Sequence, residues 1–171
     1  MRKFIVAASF VFSAFLVYTL AMREESPRGP ESGRKAPALA LPGLDGRAIS
    51  LADYSGKVVL VDFWATWCPP CREELPALAE LDRTFAPKGF SVLGVAMDEG
   101  GAKTVREFFA GRPVPYPIAL DASGDAPAGW DVPGLPTAYL IGRDGAVRRS
   151  WVGAKDADEL RAEIEAALAP R

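Results

Sequence analysis

The 171-residue sequence contains no histidine and only two cysteines. Without histidine, the chain lacks the base of Ser-His-Asp and Cys-His hydrolases, the imidazole ligands of most zinc sites and the one side chain that ordinarily titrates near neutral pH. Two cysteines are too few for a disulfide-stapled scaffold or a four-cysteine zinc site. We therefore expect neither a bound metal nor a cofactor, and the chemistry has to come from sulfur, carboxylates or both.

Positive charge is also scarce. The chain has 20 Lys and Arg against 22 Asp and Glu, a formal net charge of −2, and no basic stripe. Nucleic acid is therefore not an expected partner. Charged residues at 25% and aromatic residues at 10% are typical of a folded protein. The length suits one globular domain after an apolar N-terminal segment.

That N-terminal segment is the longest apolar run in the sequence. Arg2 and Lys3 precede 19 uncharged residues, 4–22, and a helix of that length spans about 28 Å, close to the thickness of a bilayer's hydrocarbon core. Residues 1–22 are thus predicted to be an uncleaved signal anchor or a cleaved signal peptide, with Thr19 and Ala21 before the cleavage site. A buried core helix is the third interpretation. Both signal interpretations leave the positive flank inside and place the remaining chain outside the cytoplasm.

The rest of the chain divides into a tether, residues 23–37, rich in Pro, Gly and charge, and one folded domain, residues 38–171. Periodicity and turn residues predict strands and helices that alternate along the domain. The predicted strands are 39–41, 48–51, 58–64, 90–97, 116–120, 137–141 and 146–152, and the predicted helices are 69–85, 103–111 and 156–168. This α/β order predicts a central mixed sheet flanked by helices, with an N-terminal hairpin.

Both cysteines lie in the sequence Trp67-Cys68-Pro69-Pro70-Cys71, where a predicted strand gives way to a helix. Cys68 falls at the helix N-terminus, where unpaired N–H groups and the helix dipole favour a thiolate. Cys71 follows one turn later, close enough to form a disulfide and to resolve a mixed disulfide on Cys68. A permanent structural disulfide is the alternative, but so short a loop constrains the unfolded chain little. We interpret the pair as a redox centre.

Pro69 and Pro70 carry no amide hydrogen, so the Cys71 amide is the nearest backbone donor to the Cys68 sulfur. Histidine is also absent. The thiolate is therefore expected to be stabilised only moderately, which favours a reductant over a strong oxidant.

Two carboxylates are candidate proton carriers for the cysteine pair. Asp62 lies within the apolar run 58–64, where a carboxylate is costly to bury and a raised pKa would suit proton transfer to or from Cys71. The alternative to a proton-carrying role for Asp62 is an ion pair with a lysine such as Lys57. Glu74, one helical turn after Cys71, is the second candidate carrier, and the alternative is that it is a solvated helix residue like Glu73.

The segment 61–71, Val-Asp-Phe-Trp-Ala-Thr-Trp-Cys-Pro-Pro-Cys, resembles the thioredoxin superfamily and, more closely, its membrane-anchored TlpA/ResA-type thiol–disulfide oxidoreductases. The resemblance covers about residues 36–168. It implies a thioredoxin-like fold with an insertion at residues 99–129, and a cis-proline at Pro136 that faces the cysteines. It also implies that Leu135 offers its backbone to an incoming peptide, while Trp67 and Pro69 shape the binding site.

One departure concerns the proton carrier. Members of the anchored subfamily often have asparagine at the position of Asp62 and use the glutamate that matches Glu74, whereas thioredoxin has the aspartate alone. This chain has both carboxylates, so the choice between them stays open.

The resemblance implies a reductase of protein disulfides outside the cytoplasm, with apocytochrome c as a substrate and a DsbD/CcdA-type membrane protein as electron donor. A thiol peroxidase is a second interpretation, although no proline precedes Thr66 as a peroxidatic pocket would require. A copper-handling module is the third, because two thiolates suit Cu(I), although no Met- or His-rich stretch accompanies them.

Overall fold

The structure is a computed structural model that describes residues 32–170. The strands are β1 (Ala40–Pro42), β2 (Ala48–Ser50), β3 (Val58–Trp64), β4 (Phe90–Ala96), β5 (Ile118–Leu120), β6 (Thr137–Ile141) and β7 (Val147–Val152). A five-stranded mixed sheet has the strand order β5-β4-β3-β6-β7, and a separate two-stranded hairpin pairs β1 with β2. The helices are α1 (Pro69–Phe85), α2 (Gly101–Phe108) and α3 (Ala157–Leu168). The predicted mixed sheet flanked by helices is confirmed.

Strand β3 is the centre of the sheet, and all seven of its residues are buried. It pairs in parallel with β4 and antiparallel with β6. A strand that is paired on both edges and covered on both faces is expected to consist of apolar residues throughout. Strand β3 does so except at Asp62. The run ends where the two cysteines begin, so the carboxyl end of the central strand carries the candidate site.

Each face of the sheet has its own apolar core. Alternate residues of β3 point to opposite faces, so Leu60 and Trp64 belong to one core and Val61 and Phe63 to the other. The first core is completed by the buried faces of α1 and α3, whose residues are Cys71, Leu75, Leu78, Leu81, Phe85, Leu160 and Ile164. Asp62 shares the parity of Leu60 and Trp64, which puts its side chain on the face that α1 and α3 cover.

Three backbone hydrogen bonds attach residues 33–36 to the rest of the domain. The Gly33 amide donates to Val147 O, the Val147 amide donates to Arg34 O and the Ala36 amide donates to Gly145 O. These bonds extend the folded domain into residues 33–36, which composition had assigned to the tether. The predicted anchor or signal peptide, residues 1–22, lies outside the described residues. Within 32–170, no helix has the length and apolarity needed to cross a membrane.

The segment between β4 and β6 differs most from the sequence-based boundaries. Helix α2 begins at Gly101 and ends at Phe108, two to three residues earlier than predicted, and the strand predicted from 116 begins only at Ile118. Phe108 and Phe109 pack against Trp64, so this region closes one end of the α1-side core. The predicted insertion, residues 99–129, therefore contains α2 and the edge strand β5.

Candidate active site

The cysteine pair opens helix α1. Cys68 is the N-cap of α1, and its sulfur accepts a hydrogen bond from the Cys71 amide at 3.3 Å. This is the backbone donor that the two prolines leave available. Cys68 and Cys71 form a disulfide, with an S–S distance of 2.03 Å and a Cα–Cα distance of 5.3 Å. Both residues are almost fully buried, at 3% and 1% exposure, and of the two Cys68 is the more accessible.

The loop that leads into Cys68 is held by a buried aspartate, Asp98, two residues after the end of β4. The Asp98 carboxylate accepts from the Thr66 hydroxyl at 2.6 Å and from the Thr66 amide at 3.1 and 3.2 Å. Asp98 is 2% exposed, whereas the neighbouring Trp67 is 67% exposed. A rigid turn thus projects an indole into solvent directly before the N-cap cysteine.

We predict that Asp98→Ala destabilises the domain by about 1–3 kcal/mol, because it leaves the amide and hydroxyl of the half-buried Thr66 without the carboxylate that accepts from them. Thr66→Val is the matched control, since it removes the hydroxyl and keeps the backbone bond. Chemical denaturation of both variants measures the difference. Equal losses for the two variants would show that the backbone bond to Asp98 contributes nothing.

Pro136 lies at the same end of the sheet as the cysteines. The Leu135–Pro136 peptide bond is cis, as the resemblance implied. Thr137, the next residue, is the register partner of Phe63 near the carboxyl end of β3. Because β3 and β6 are antiparallel, the start of β6 adjoins the strand end that leads to Cys68. Pro136 is itself buried, and Leu135 before it is half-buried.

Asp62 and Glu74 meet at one lysine. The Lys155 ammonium lies 3.2 Å from Asp62 Oδ1 and 2.7 Å from Glu74 Oε2. The Lys155 amide also donates to Glu74 Oε1. The side chains are 0% exposed for Lys155, 3% for Asp62 and 11% for Glu74. The structure therefore brings both predicted carboxylates together under the cysteine-bearing helix.

The structure bears on the alternatives considered for both carboxylates. Asp62 does pair with a lysine, but the partner is Lys155 and not the suggested Lys57, which is exposed and lies over the Tyr54 ring. Glu74 is not a solvated residue like Glu73, because its carboxylate is turned into the ion pair with Lys155. Lys155 comes from the loop between β7 and α3, 93 residues after Asp62. No local spacing links the two residues, so the sequence offered no signal for this pair.

Burial dominates the electrostatics of Asp62. Desolvation raises the pKa of its carboxyl to about 6, Lys155 opposes that rise and the Glu74 charge adds to it. Burial likewise raises the pKa of Tyr116 well above its ordinary value, with further contributions from Asp62, Glu74 and Asp82. A carboxyl that titrates near neutral pH is suited to accept and return a proton.

Comparison with known proteins places this geometry in a family. The model of the AhpC/TSA family matches residues 32–150. The chain belongs to the AhpC/TSA family. Thiol-disulfide oxidoreductase ResA of Bacillus thuringiensis subsp. konkukian is 34% identical over 130 residues, which are 76% of this chain and 75% of that protein. Thioredoxin-like protein YneN of Bacillus subtilis is 35% identical over 139 residues, 80% of this chain and 81% of that protein.

A solved structure supports the same grouping. The thiol:disulfide interchange protein DsbE of Chlorobium tepidum superposes on this chain with a TM-score of 0.76 and 38% sequence identity. The superposition covers 82% of this chain and 100% of the DsbE chain. The thioredoxin-like fold is thereby confirmed. This AhpC/TSA family member is a thiol–disulfide oxidoreductase of the thioredoxin-like type.

Proposed function

We propose that the chain reduces disulfides in other proteins on the extracytoplasmic side of a membrane, with Cys68 and Cys71 as its dithiol. The observation that carries this proposal is a disulfide-forming pair at the start of α1, with the slightly more exposed residue of the two, Cys68, at the N-cap. A helix N-terminus favours a thiolate there, and a partner one turn away favours rapid release of a mixed disulfide.

The reaction starts from the dithiol. The Cys68 thiolate attacks one sulfur of the substrate disulfide, a Cys68–substrate S–S bond forms, and the other substrate sulfur leaves as a thiolate that takes up a proton. Cys71 then gives up its proton and attacks Cys68, which forms the Cys68–Cys71 disulfide and releases the second substrate thiolate. Two electrons pass to the substrate, and the chain ends oxidised.

Cys71 is only 1% exposed, so bulk water does not reach its thiol. Another group of the protein therefore has to accept the Cys71 proton. Asp62 and Glu74 are the carboxylates that we assign to this step. Asp62 lies on the sheet face that α1 covers, and Glu74 lies on α1 one turn after Cys71. Because burial raises the pKa of Asp62 to about 6, its carboxyl exchanges protons within the physiological range.

Substrate binding is assigned to the surface around the N-cap cysteine. Trp67 is exposed, Pro69 lies beside it at the first position of α1, and the Leu135–Pro136 bond adjoins the end of β3. An extended peptide is expected to pair with the Leu135 backbone, in the manner of strand addition. The substrate class is thus a protein segment that contains an accessible disulfide.

Location and partners follow from the N-terminal sequence and the resemblance. Residues 1–22 are proposed to send the domain across the membrane, either as an anchor or as a cleaved signal. With two cysteines the chain holds no internal electron source, so a membrane donor of DsbD/CcdA type is proposed to reduce it again. Apocytochrome c is the proposed substrate. Alkylation of intact cells with a membrane-impermeant maleimide tests the location, because only an extracytoplasmic dithiol is labelled.

Insulin reduction by the purified full-length chain in detergent, with dithiothreitol as electron source, tests the activity. Wild type is expected to accelerate precipitation of the insulin B chain, and Cys68→Ser is expected to match the blank. Parallel assays follow peroxide consumption and Cu(I) binding. Peroxide turnover without insulin reduction would overturn the proposal in favour of a peroxidase, and tight Cu(I) binding without either activity would favour a copper-handling module.

A further inference from the structure

An open apolar groove separates helix α1 from the segment that ends α2. One wall consists of Leu75, Pro76 and Ala79 on α1, and the other comes from the segment 108–115. The volume of this α1–α2 groove is about 600 Å³, within the range of about 300–1,000 Å³ that is typical of ligand sites. The reaction proposed above leaves the groove without a role.

The walls of the α1–α2 groove are held in place by the core. Phe108 and Phe109 pack against each other with their ring centroids 5.0 Å apart, and both contact the buried Trp64 ring at 5.7 and 5.9 Å. Pro113 and Pro115, on the same wall, restrict the backbone of the segment that follows α2. A site that is formed before its ligand arrives loses little conformational entropy on binding.

The charged residues at the rim of the groove are all positive. Arg72 and Arg112 line it and are exposed, and no acidic side chain lines it. Within residues 32–170, neither guanidinium forms an ion pair with a carboxylate. Arg112 donates to Phe108 O and lies over the Phe108 ring at 4.8 Å, so its charge is held at the rim. An apolar floor below two unpaired guanidiniums is complementary to a ligand that carries carboxylates beside an apolar group.

The groove begins beside the cysteine pair. Arg72 follows Cys71 directly, and its amide donates to Cys68 O at 3.2 Å. From Cys68 to Pro76 the helix advances about 12 Å at about 1.5 Å per residue, a distance that about four residues of extended peptide span. A polypeptide joined to Cys68 in the mixed disulfide therefore reaches the groove with a side chain three to five residues from its own cysteine. The covalent link gives that side chain a high effective concentration, so weak contacts are sufficient.

We propose that the α1–α2 groove binds the substrate polypeptide on one side of its disulfide and prefers segments with an apolar side chain flanked by carboxylates. This inference rests on the proposed function, because it takes the substrate disulfide to be part of a protein chain. The apolar side chain packs on Phe108 and Pro76, and the carboxylates pair with Arg72 and Arg112. A segment with lysines in place of the carboxylates meets two like charges and binds more weakly.

The test compares two synthetic peptides, each linked into a dimer through its one cysteine. The acidic peptide has a phenylalanine and two aspartates three to five residues from the cysteine on both sides, and the basic peptide has lysines in place of the aspartates. Reduced full-length chain in non-ionic detergent is mixed with each dimer, and chromatography follows the peptide thiols that are released. Wild type is expected to reduce the acidic dimer with a kcat/KM at least about tenfold above that for the basic dimer, about three- to fivefold for each arginine.

Arg72→Gln and Arg112→Gln are each expected to lower this preference by about three- to fivefold through KM, and the double variant is expected to show almost none. Because the preference compares two peptides on one protein, an effect of Arg72 on the Cys68 thiolate cancels. Arg83→Gln is the matched control, since it removes an exposed arginine near the other end of α1 and is expected to keep the wild-type preference. Serine in place of phenylalanine in the acidic peptide is expected to lower kcat/KM by about tenfold.

Equal reduction of the two dimers by wild type, or a preference that survives in the double variant, would overturn the inference and leave the reductase assignment intact. An unchanged kcat/KM for the serine peptide would also overturn it, because the apolar floor would then be unused. Sedimentation of wild type and the double variant covers the other occupant: a dimer formed only by wild type would show that a second copy of the chain fills the groove. A wild type that reduces neither peptide nor insulin would instead overturn the proposed function.

Discussion

Cys71→Ser is expected to accumulate a mixed disulfide between Cys68 and its substrate. The N-cap sulfur retains its helix N-terminus and the amide at residue 71, so attack on a substrate disulfide proceeds. The serine hydroxyl cannot displace the substrate sulfur, so the second step stops. Cys68→Ser removes the attacking sulfur, and its turnover is expected to fall at least about a thousandfold.

The two variants form a matched pair, because each loses the disulfide between Cys68 and Cys71 and the short loop that this disulfide closes. Any general loss of stability is therefore shared, and a difference between them reports the chemistry. The measurement is non-reducing electrophoresis after incubation with a disulfide-containing protein. Dithiothreitol is expected to break the trapped adduct, which shows that the link is a disulfide. Trapping by Cys68→Ser in place of Cys71→Ser would reverse the assigned roles.

Asp62→Asn is expected to stabilise the oxidised protein at neutral pH and to change the slope of stability against pH. Burial raises the pKa of Asp62 to about 6 in the folded state, above its ordinary value in the unfolded chain. The folded state therefore binds the proton more tightly, and stability falls as pH rises from about 4 to about 6. The cost at neutral pH relative to pH 4 is about 2–3 kcal/mol.

Chemical denaturation of the disulfide form at several pH values measures this contribution without interference from thiol titration. The free-energy difference between Asp62→Asn and wild type is expected to grow by that amount between pH 4 and pH 7 and to stay constant above. Asp125→Asn, at an exposed carboxylate, is expected to show no such growth. A difference that is the same at pH 4 and pH 8 would show that Asp62 titrates as an ordinary carboxyl.

Local patterns were sufficient for much of the fold. The uninterrupted run 58–64 predicted a central strand to the residue, and the spacing of Leu75, Leu78, Leu81 and Phe85 predicted the buried face of α1. These predictions succeed because burial on one face imposes a fixed period on the sequence. The α2 region was less well predicted, since its short elements are set by packing against Trp64.

The residues of the candidate site likewise divide into those that local sequence predicted and those that only the fold brings in. Spacing alone indicated the cysteine pair and a buried carboxyl on the adjoining strand, while the cis bond at Pro136 came from the resemblance and no local rule. Lys155 and Asp98 were missed, because each acts across the fold on a residue far away in sequence. For Asp62 the sequence suggested the nearest lysine, Lys57, whereas the sheet and α1 select a cation from the loop before α3.

The direction of electron flow depends on how well the Cys68 thiolate is stabilised. Pro69 and Pro70 supply no amide donors, histidine is absent, and the buried cluster of Asp62, Glu74 and Lys155 carries one net negative charge when ionised. Each of these features disfavours an additional negative charge on sulfur. A weakly stabilised thiolate favours the disulfide form of the couple, which is the property of a reductant.

The reduction potential of the Cys68–Cys71 couple tests this directly. The full-length chain is equilibrated in glutathione and dithiothreitol buffers of graded potential, and its free thiols are alkylated and counted. A potential below about −200 mV, in the range of glutaredoxins and thioredoxin, is the predicted result. A potential near about −120 mV, that of a strong dithiol oxidase, would contradict the assignment of this pair as a reductant.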